Sequence, residues 1–553
     1  MAALGLAAAT RPAHPDSSLP VGINDSFCRT AARRAQRLHI PGDAGYLGRL
    51  APRGDALTLF AARNSENTSG TRTGGRGAHA ALPPGPLSFV ARHRGRRYVN
   101  PTLVLQRGER VRITLVNALK EPTITHWHGL SVDTRNDGNG SVLVPPGEQY
   151  EYDFTVLNRG GMYWYHPHPH GMIAAQTYQG LFGALLVEDD DERALRAALD
   201  LKPGVADIVL QLQDRRAEVD YAPSPEDLVH GFLGDELFVN GTHCPYFDVA
   251  TRLYRFRILN AANARTLLLA FRTAGGAPLP FTLIGNDGGL LPAPVQCAKA
   301  FLATAERIDV LVDLSRAAPG DTVMLETLAF DPMHMEQTQR SGKAQEELTT
   351  PAGNGDPATM GHAMPGATSA TGHQHVGSWA EGTPRALLEL RVRTRVTYDR
   401  RVPETLSSES VIDTTNATLR PLRLGFAKGH WRINDRVFEM GVSPIEVARN
   451  TVETWLIRNY HASMPHAMHL HGFHFNVLAR ETSPEAIGAL AVDAQGRLAT
   501  DLGRKDTVLV WPGESLRIAI DFTHPFPGPQ NYMFHCHNLE HEDGGMMLGV
   551  AVT

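Results

Sequence analysis

The sequence predicts an all-β protein built from several β-sandwich domains. Its apolar residues fall in short runs that suit strands, such as residues 56–60, 111–116 and 151–156. Pro-Gly and Asn-Gly pairs separate many of these runs, and such pairs are typical of tight turns between strands. A chain of 553 residues is long enough for about three or four domains. The runs, the turns and the length together favour a series of β-sandwiches.

The strand-like runs divide the chain into three domains after an irregular start. We expect an irregular N-terminal segment at residues 1–53, a first domain at 54–190, a second at 200–325 and a third at 326–553. A helical pattern at residues 191–199 lies between the first two domains. Residues 331–381 are biased toward Gly, Ala, Thr, His and Met. We interpret them as a mobile insertion in the third domain.

Charge and hydropathy exclude several classes of function. The formal net charge is −5 and hydrophobic residues make up 42% of the chain, which describes a globular protein without a basic surface for nucleic acid. No apolar run approaches the roughly 18 residues that a membrane span needs. We therefore expect no nucleic-acid partner and no membrane span.

The cysteines are too few for a disulfide framework. They are Cys28, Cys244, Cys297 and Cys536. If Cys536 binds a metal, an odd number remains. Cys244 and Cys297 both fall in the expected second domain and could pair, but we expect two buried free thiols.

The most informative stretch lies near the C-terminus. Cys536 stands between His535 and His537, and His541 and Met546 follow. Cysteine, histidine and thioether methionine are the ligands of a blue copper site. Because side chains alternate along an extended strand, Cys536 would face one metal centre while the flanking histidines face another. The stretch therefore predicts two metal centres joined by one strand.

Other histidines recur in the same His-x-His pattern. Six such pairs occur, whereas chance predicts roughly one for this histidine content. The pair 168–170 overlaps a better one, and the pair 373–375 lies in the insertion. The remaining four pairs each place two imidazoles on one face of a strand. They are His126 and His128, His166 and His168, His469 and His471, and His535 and His537.

These four segments resemble the copper-binding motifs of the multicopper oxidases, which include laccases, bilirubin oxidases and ceruloplasmin-like ferroxidases. The resemblance is strongest to the three-domain bacterial copper-efflux oxidases and runs from about residue 50 to the C-terminus. Residues 161–165, 180–183, 255–261 and 541–547 extend it beyond the ligands. It implies three cupredoxin-like Greek-key β-sandwich domains. The copper cluster would form where the first and third domains meet, with the middle domain holding them in register.

The resemblance also implies a set of ligands for four copper ions. A type 1 copper would be held by His466, Cys536, His541 and Met546. A type 2 copper would be held by His126 and His469, and a type 3 pair by His128, His166, His168, His471, His535 and His537. Met547 is an alternative to Met546, although the ten-residue offset from Cys536 favours Met546. An axial Met generally lowers the reduction potential of such a site.

The implied reaction couples four one-electron oxidations of substrate at the type 1 copper to the reduction of O₂ to water at the type 2 and type 3 ions. Asp137 and Glu542 match family carboxylates that deliver protons. The alternative is that they are ordinary acids around the ligands. We expect His170 to support the ligands rather than to bind copper.

Two residues near His466 bear on the substrate. Met464 suits the Cu(I) site of the copper-efflux oxidases, but Ala462 stands where their carboxylate is expected. The candidate reductants are therefore small phenols and aromatic amines, Cu(I), or both. The expected role of the protein is in copper tolerance. The methionines of the insertion would offer soft ligands for Cu(I), or the insertion is passive.

Three alternatives stay open: a dedicated laccase, a bilirubin-oxidase-like enzyme, and a copper storage or carrier protein. The complete set of type 2 and type 3 ligands argues against a carrier, because a carrier has no use for a cluster that reduces O₂. The resemblance implies a periplasmic or secreted monomer, although no leader is recognisable in residues 1–53.

Overall fold

A computed structural model describes residues 35–64, 85–216, 220–334 and 379–553. Almost all of the regular structure in these ranges is strand, arranged in six sheets. The all-β prediction is therefore confirmed. Within the same ranges, no helix has the length and apolar character that crossing a membrane requires.

The first domain is a sandwich of a six-stranded and a five-stranded sheet, ordered β10-β8-β4-β5-β6-β2 and β3-β7-β12-β11-β9. Leu59 and Phe89 of the first sheet pack against Leu103 and Leu185 of the second in one buried core. Up to residue 190 the strands are β1 (Gln36–Arg37), β2 (Gly45–Tyr46), β3 (Arg49–Leu50), β4 (Leu57–Arg63), β5 (Leu87–His93), β6 (Arg96–Val99), β7 (Thr102–Gln106), β8 (Arg110–Ala118), β9 (Thr125–His126), β10 (Gln149–Thr155), β11 (Gly161–Pro167) and β12 (Gly183–Glu188).

Three short helices accompany this domain. They are α1 (Thr134–Asp137), α2 (Ile173–Tyr178) and α3 (Asp190–Ala198). The last corresponds to the helix predicted at residues 191–199. Asp189 caps α3 because its side chain accepts a hydrogen bond from the backbone N–H of Glu192. Helix α3 leads the chain into the second domain.

The middle domain pairs a seven-stranded sheet, β15-β14-β13-β17-β22-β19-β20, with a six-stranded sheet, β1-β16-β24-β23-β18-β21. Ile258 and Val310 of the first pack against Leu269 and Leu390 of the second. The elements are β13 (Asp207–Arg215), α4 (Pro225–His230), β14 (Glu236–Val239), β15 (Thr242–His243), β16 (Pro245–Ala250), β17 (Leu253–Asn260), β18 (Leu267–Thr273), β19 (Phe281–Asn286), β20 (Gly289–Cys297), β21 (Lys299–Leu302), β22 (Arg307–Asp313), β23 (Thr322–Thr327) and β24 (Arg385–Thr394).

Strand β24 corrects the expected boundary between the second and third domains. We expected the third domain to begin at residue 326. Instead, β24 pairs with β16 and β23 of the middle domain, because the chain returns to that sheet after the insertion. The second domain therefore ends after Thr394.

The described part of the N-terminal segment is also more regular than expected. Strand β1 pairs with β16 of the middle domain, whereas β2 and β3 pair with β6 and β7 of the first. The segment thus joins two domains. Close to β16, Cys244 is disulfide-bonded, and Cys297 is a buried free thiol. The expectation of two free thiols is therefore wrong for Cys244, and Cys28 lies outside the described residues.

The third domain contains two five-stranded sheets, β26-β25-β28-β32-β30 and β27-β34-β33-β29-β31. Trp455 and Ile518 of the first pack against Leu470 and Phe534 of the second. The elements are β25 (Thr418–Ala427), β26 (His430–Ile433), β27 (Ile445–Val447), β28 (Val452–Asn459), β29 (His466–Leu470), β30 (Phe475–Glu481), α5 (Glu485–Gly488), a 3₁₀ turn (Ala499–Asp501), β31 (Thr507–Val510), β32 (Ser515–Asp521), β33 (Gln530–Cys536), α6 (Leu539–Asp543) and β34 (Met547–Val552).

Candidate metal centre

A sulfur and two imidazole nitrogens meet inside the third domain, beside the antiparallel strands β29 and β33. Met468 lies opposite Cys536 in this pair, so His466, two residues along β29, faces the same side. The Cys536 Sγ lies 3.5 Å from His466 Nδ1 and 3.6 Å from His541 Nδ1. All three side chains are buried. This is the donor set of a blue copper site.

The strand register distinguishes Met546 from Met547. Met547 pairs with His535 across β33 and β34, so its side chain shares the face of His535. Met546 precedes β34, and its carbonyl accepts a hydrogen bond from the Cys536 N–H at 3.0 Å. The buried Met546 side chain belongs to the same core as Cys536. The register therefore favours Met546 as the methionine near the sulfur.

Burial sets the protonation of these donors. It raises the pKa of the Cys536 thiol to about 12 and lowers the pKa of His466 to about 3. The imidazole is therefore neutral, as a metal ligand must be. At neutral pH the thiol would lose its proton only when a bound cation stabilises the thiolate.

The middle domain covers this group through a contact that the sequence did not indicate. Val229, in helix α4, offers one carbonyl oxygen that lies 2.8 Å from His541 Nε2 and accepts a hydrogen bond from Trp431 Nε1 at 2.9 Å. The Trp431 ring also packs against His466 and His541, with centroids 4.6 and 5.1 Å away. The tryptophan and the helix hold both imidazoles in place.

The four His-x-His pairs converge on a second centre between the first and third domains. His126 stacks on His471 with ring centroids 3.8 Å apart, and His128 stacks on His469 at 3.7 Å. Strand pairing adds the other two pairs, because His166 lies opposite His126 and His535 lies opposite His469. All eight side chains are buried. They are His126, His128, His166, His168, His469, His471, His535 and His537.

Within this cluster the imidazoles form groups of three that suit a metal ion. The ligand atoms of His168, His471 and His535 lie within 4.8 Å of one another. The Nε2 atoms of His471 and His535 are 3.0 Å apart. Other groups within the same limit are His126, His469 and His471, and His126, His128 and His166. The rings of His128, His166 and His537 lie 5.0 to 5.7 Å apart.

Several buried imidazole nitrogens in the cluster have no hydrogen-bond partner. They include Nε2 of His126, His166 and His469, Nδ1 of His128 and His168, and both nitrogens of His537. A buried polar atom without a partner costs about 1–3 kcal/mol. Burial and the neighbouring histidines lower the pKa of His126 and His537 well below its usual value. Neutral imidazoles with free lone pairs converging on one space fit a copper cluster.

The two predicted carboxylates both contact this cluster. Asp137 Oδ2 lies 2.9 Å from His471 Nδ1, and Glu542 Oε1 lies 2.8 Å from His168 Nε2. Burial raises the pKa of Asp137 to about 8. Burial opposes ionisation of Glu542 too, but His535 and His168 lower its pKa to about 2. The two acids therefore differ in protonation near neutral pH.

Sequence reasoning missed a third buried carboxylate, Asp506, which lies between β30 and β31. Its Oδ1 is 3.0 Å from His128 Nε2, and its side chain is ion-paired with Arg307 of the middle domain. Neither Asp506 nor Arg307 belongs to a His-x-His segment. An isolated acid followed by Thr507 carries no spacing signal, so only the fold reveals the contact.

Other predicted features lie outside the cluster. His170 packs on Phe438 with ring centroids 5.0 Å apart and joins none of the groups of three found in the described ranges. Met464 is buried in the third-domain core. Most of the insertion, residues 335–378, lies outside the described residues, and so do His373 and His375.

Comparisons with known proteins agree with this geometry. Residues 94–192 and 411–553 each match a family profile described as "Multicopper oxidase". The crystal structure of McoA multicopper oxidase from Aquifex aeolicus superposes with a TM-score of 0.76 at 32% identity, over 94% of this chain and 100% of that one.

Curated relatives give the same picture. A laccase from Haloferax volcanii is 30% identical over 78% of this chain and 67% of its own length. The multicopper oxidase mco of Staphylococcus aureus is 27% identical over 82% of each chain. The predicted fold of three cupredoxin-like domains is confirmed by the structural match.

Proposed function

The chain belongs to the multicopper oxidase family and is an oxidoreductase, and we propose that it couples four one-electron oxidations of a reductant to the four-electron reduction of O₂ to water. Copper would supply the one-electron redox chemistry and the site of O₂ reduction. The observation that carries this proposal is strand β33, in which Cys536 faces the His466–His541 group while His535 lies in the eight-histidine cluster.

The proposed ligands number twelve and serve four copper ions. The type 1 ion takes His466, Cys536, His541 and Met546. The type 2 ion takes His126 and His469, and the type 3 pair takes His128, His166 and His537 on one ion and His168, His471 and His535 on the other. The groups His466–Cys536–His541 and His168–His471–His535, the unpartnered nitrogens and the register at Met546 support this assignment.

Proton supply to the cluster is the role we propose for Asp137 and Glu542. Water formation consumes protons, and each carboxylate lies within hydrogen-bond distance of a cluster imidazole. Because burial raises the pKa of Asp137 to about 8, this group holds a proton at neutral pH and can release it. Glu542, with its lowered pKa, is ionised, so it would pass a proton on to the cluster rather than hold it.

For the reductant, we propose small phenols and aromatic amines, with Cu(I) as a second substrate and a role in copper tolerance. Ala462 supplies no carboxylate at the place where the cuprous site of related enzymes has one. However, His334 Nε2 lies 3.0 Å from Glu381 Oε2, and the His334 ring stacks on His230 at 5.5 Å. His230 follows Val229, whose carbonyl contacts His541. The side chains of His230, His334 and Glu381 therefore support access of a metal ion to the side of the Cys536 group where Val229 contacts His541.

A dedicated phenol oxidase is the second candidate, favoured by Ala462 alone. Oxygen uptake by the copper-loaded enzyme with a phenol and with Cu(I) separates the two. For Glu381→Gln we expect Cu(I) oxidation to fall while phenol oxidation persists. If both rates stay at the wild-type level, Glu381 has no part in Cu(I) oxidation. If the wild type consumes O₂ with the phenol but not with Cu(I), the Cu(I) role is rejected. If the wild type consumes no O₂ with either reductant, the chain is a copper carrier instead.

We further propose that the protein works outside the cytoplasm, in the periplasm or as a secreted enzyme. The disulfide at Cys244 suits an oxidising compartment. Fractionation of the native host, followed by immunodetection, tests this location.

A further inference from the structure

The stacked histidines of the first and third domains are held by two aspartates in the same way. His126 Nδ1 lies 2.8 Å from the backbone carbonyl oxygen of Asp137. His469 Nδ1 lies 2.8 Å from the backbone carbonyl oxygen of Asp506. In both cases the first histidine of a His-x-His pair binds the main chain of an aspartate in its own domain. In both cases the histidine keeps Nε2 without a hydrogen-bond partner.

The side chains of the same two aspartates cross to the opposite domain. Asp137 Oδ2 lies 2.9 Å from His471 Nδ1, and Asp506 Oδ1 lies 3.0 Å from His128 Nε2. Each carboxylate therefore binds the second histidine of the other domain's pair. Asp506 occupies the place in the third domain that Asp137 occupies in the first.

The two carboxylates differ in what neutralises them. Asp137 Oδ1 has no hydrogen-bond partner. Both oxygens of Asp506 accept from Arg307, at 2.8 Å from Nη1 and 2.5 Å from Nη2. Arg307 is fixed in turn, because its Nη1 donates to the Ala305 carbonyl oxygen at 2.9 Å and its Nε donates to the Met162 carbonyl oxygen at 3.1 Å. A bidentate, fully buried arginine–carboxylate pair holds both partners in one orientation.

This pair determines which nitrogen of His128 can bind a metal. Its Nε2–H donates to Asp506, and Thr507 Oγ1 lies 3.2 Å from the same nitrogen. Only Nδ1 remains, and it has no partner. A carboxylate bound to one imidazole nitrogen fixes the tautomer and the ring orientation and makes the other nitrogen more basic.

We propose that Asp506, held by Arg307 of the middle domain, is a positioning residue that orients His128 so that its Nδ1 binds copper in the type 3 pair. The inference rests on the proposed function and extends it. It gives the middle domain, which supplies none of the proposed copper ligands, a direct part in forming the cluster of type 2 and type 3 coppers.

The test compares copper-loaded Asp506→Ala and Asp506→Asn with wild type and with Asp501→Asn. Asp501 forms an equally buried bidentate pair with Arg480 in the third domain and touches no cluster histidine. For each protein one measures copper per chain, the absorption of the type 3 pair, and the blue band. Anaerobic reduction of the blue band by a phenol and its reoxidation by O₂ complete the comparison. Thermal unfolding of the apo-proteins reports stability.

For Asp506→Ala we expect partial loss of type 3 copper and of its absorption, with reoxidation by O₂ about 10- to 100-fold slower. The blue band and its anaerobic reduction should be unchanged. Asp506→Asn, which keeps an acceptor oxygen, should lie between Asp506→Ala and wild type. Asp501→Asn should lower stability but keep four copper ions and the wild-type rate of reoxidation. If Asp506→Ala folds too poorly to load, Asp506→Asn and Arg307→Lys carry the same comparison.

The inference is overturned if the Asp506 variants keep wild-type type 3 absorption and reoxidation, or if Asp501→Asn loses them to the same degree. A wild-type protein that binds no copper cluster, or that does not reduce O₂, would refute the proposed function. That failure is visible before any variant is made.

Discussion

His126 and His471 stack face to face with ring centroids 3.8 Å apart and planes inclined by 19°, although they belong to the first and third domains. Asp137 lies against both rings. The cluster is therefore complete only when the two ends of the chain are docked. Every prediction about O₂ reduction depends on that docking, whereas the Cys536 group lies within one domain.

Replacing Cys536 with Ser should abolish the blue colour and all oxidation of substrate. A hydroxyl is a hard, poorly ionised donor, so it cannot replace the thiolate of a blue copper site. The eight histidines are untouched, so copper in the cluster should largely persist. Visible absorption and copper analysis of the purified variant measure both effects.

Cys297→Ser is the matched control for that experiment. Cys297 is also a buried free thiol, but it lies in the core of the middle domain. This variant should stay blue and active. A blue, active Cys536→Ser protein would contradict the proposed type 1 site.

Removing His126 or His469 should lower copper content and stop O₂ reduction while leaving the blue band intact. Each contributes a buried Nε2 without a partner to the cluster, and neither touches the Cys536 sulfur group. Copper analysis, visible absorption and oxygen uptake of His126→Ala and His469→Ala test this. His170→Ala serves as control and should retain oxygen uptake. Normal O₂ reduction in His469→Ala would show that the first and third domains do not share the proposed type 2 copper ion.

Met546→Leu should raise the reduction potential of the blue site. An axial thioether tunes that potential, and its removal leaves an apolar neighbour in its place. Met547→Leu is the control, because the register places Met547 on the face of His535. Redox titration of the blue band compares the two variants. A larger shift in Met547→Leu than in Met546→Leu would reverse the assignment of the axial ligand.

Glu192→Ala should destabilise the junction between helix α3 and the middle domain. The buried Glu192 carboxylate accepts from Arg255 at 2.7 and 2.8 Å and from Arg257 at 2.9 Å. Removing one partner of a buried ion pair costs about 3–5 kcal/mol. Thermal unfolding of the apo-protein measures the loss. Asp190→Ala on the same helix removes an exposed partner of Arg193 and should leave the midpoint nearly unchanged. Equal midpoints for the two variants would contradict this account.

Most of the ligand set could be predicted from the sequence because its spacing is local. Two histidines one residue apart share a strand face wherever that strand lies, so His469 and His471 were recognisable without a fold. The alternation at Cys536 was recognisable in the same way. The boundary between the second and third domains could not be predicted in this way. Strand β24 returns to the middle domain after the insertion, and no pattern in its sequence indicates which sheet it joins.

The contacts around the ligands could not be predicted, because they join residues far apart in the chain. Asp506 binds His128, Arg307 binds Asp506, and the Val229 carbonyl contacts His541. A single acid, arginine or main-chain carbonyl has no distinguishing neighbours in the sequence. Thus the sequence by itself determined which side chains can bind copper, through the period of the strand. The tertiary structure decided which nitrogen each imidazole presents and what holds it there, because those depend on partners that only the packing of three domains brings within hydrogen-bond distance.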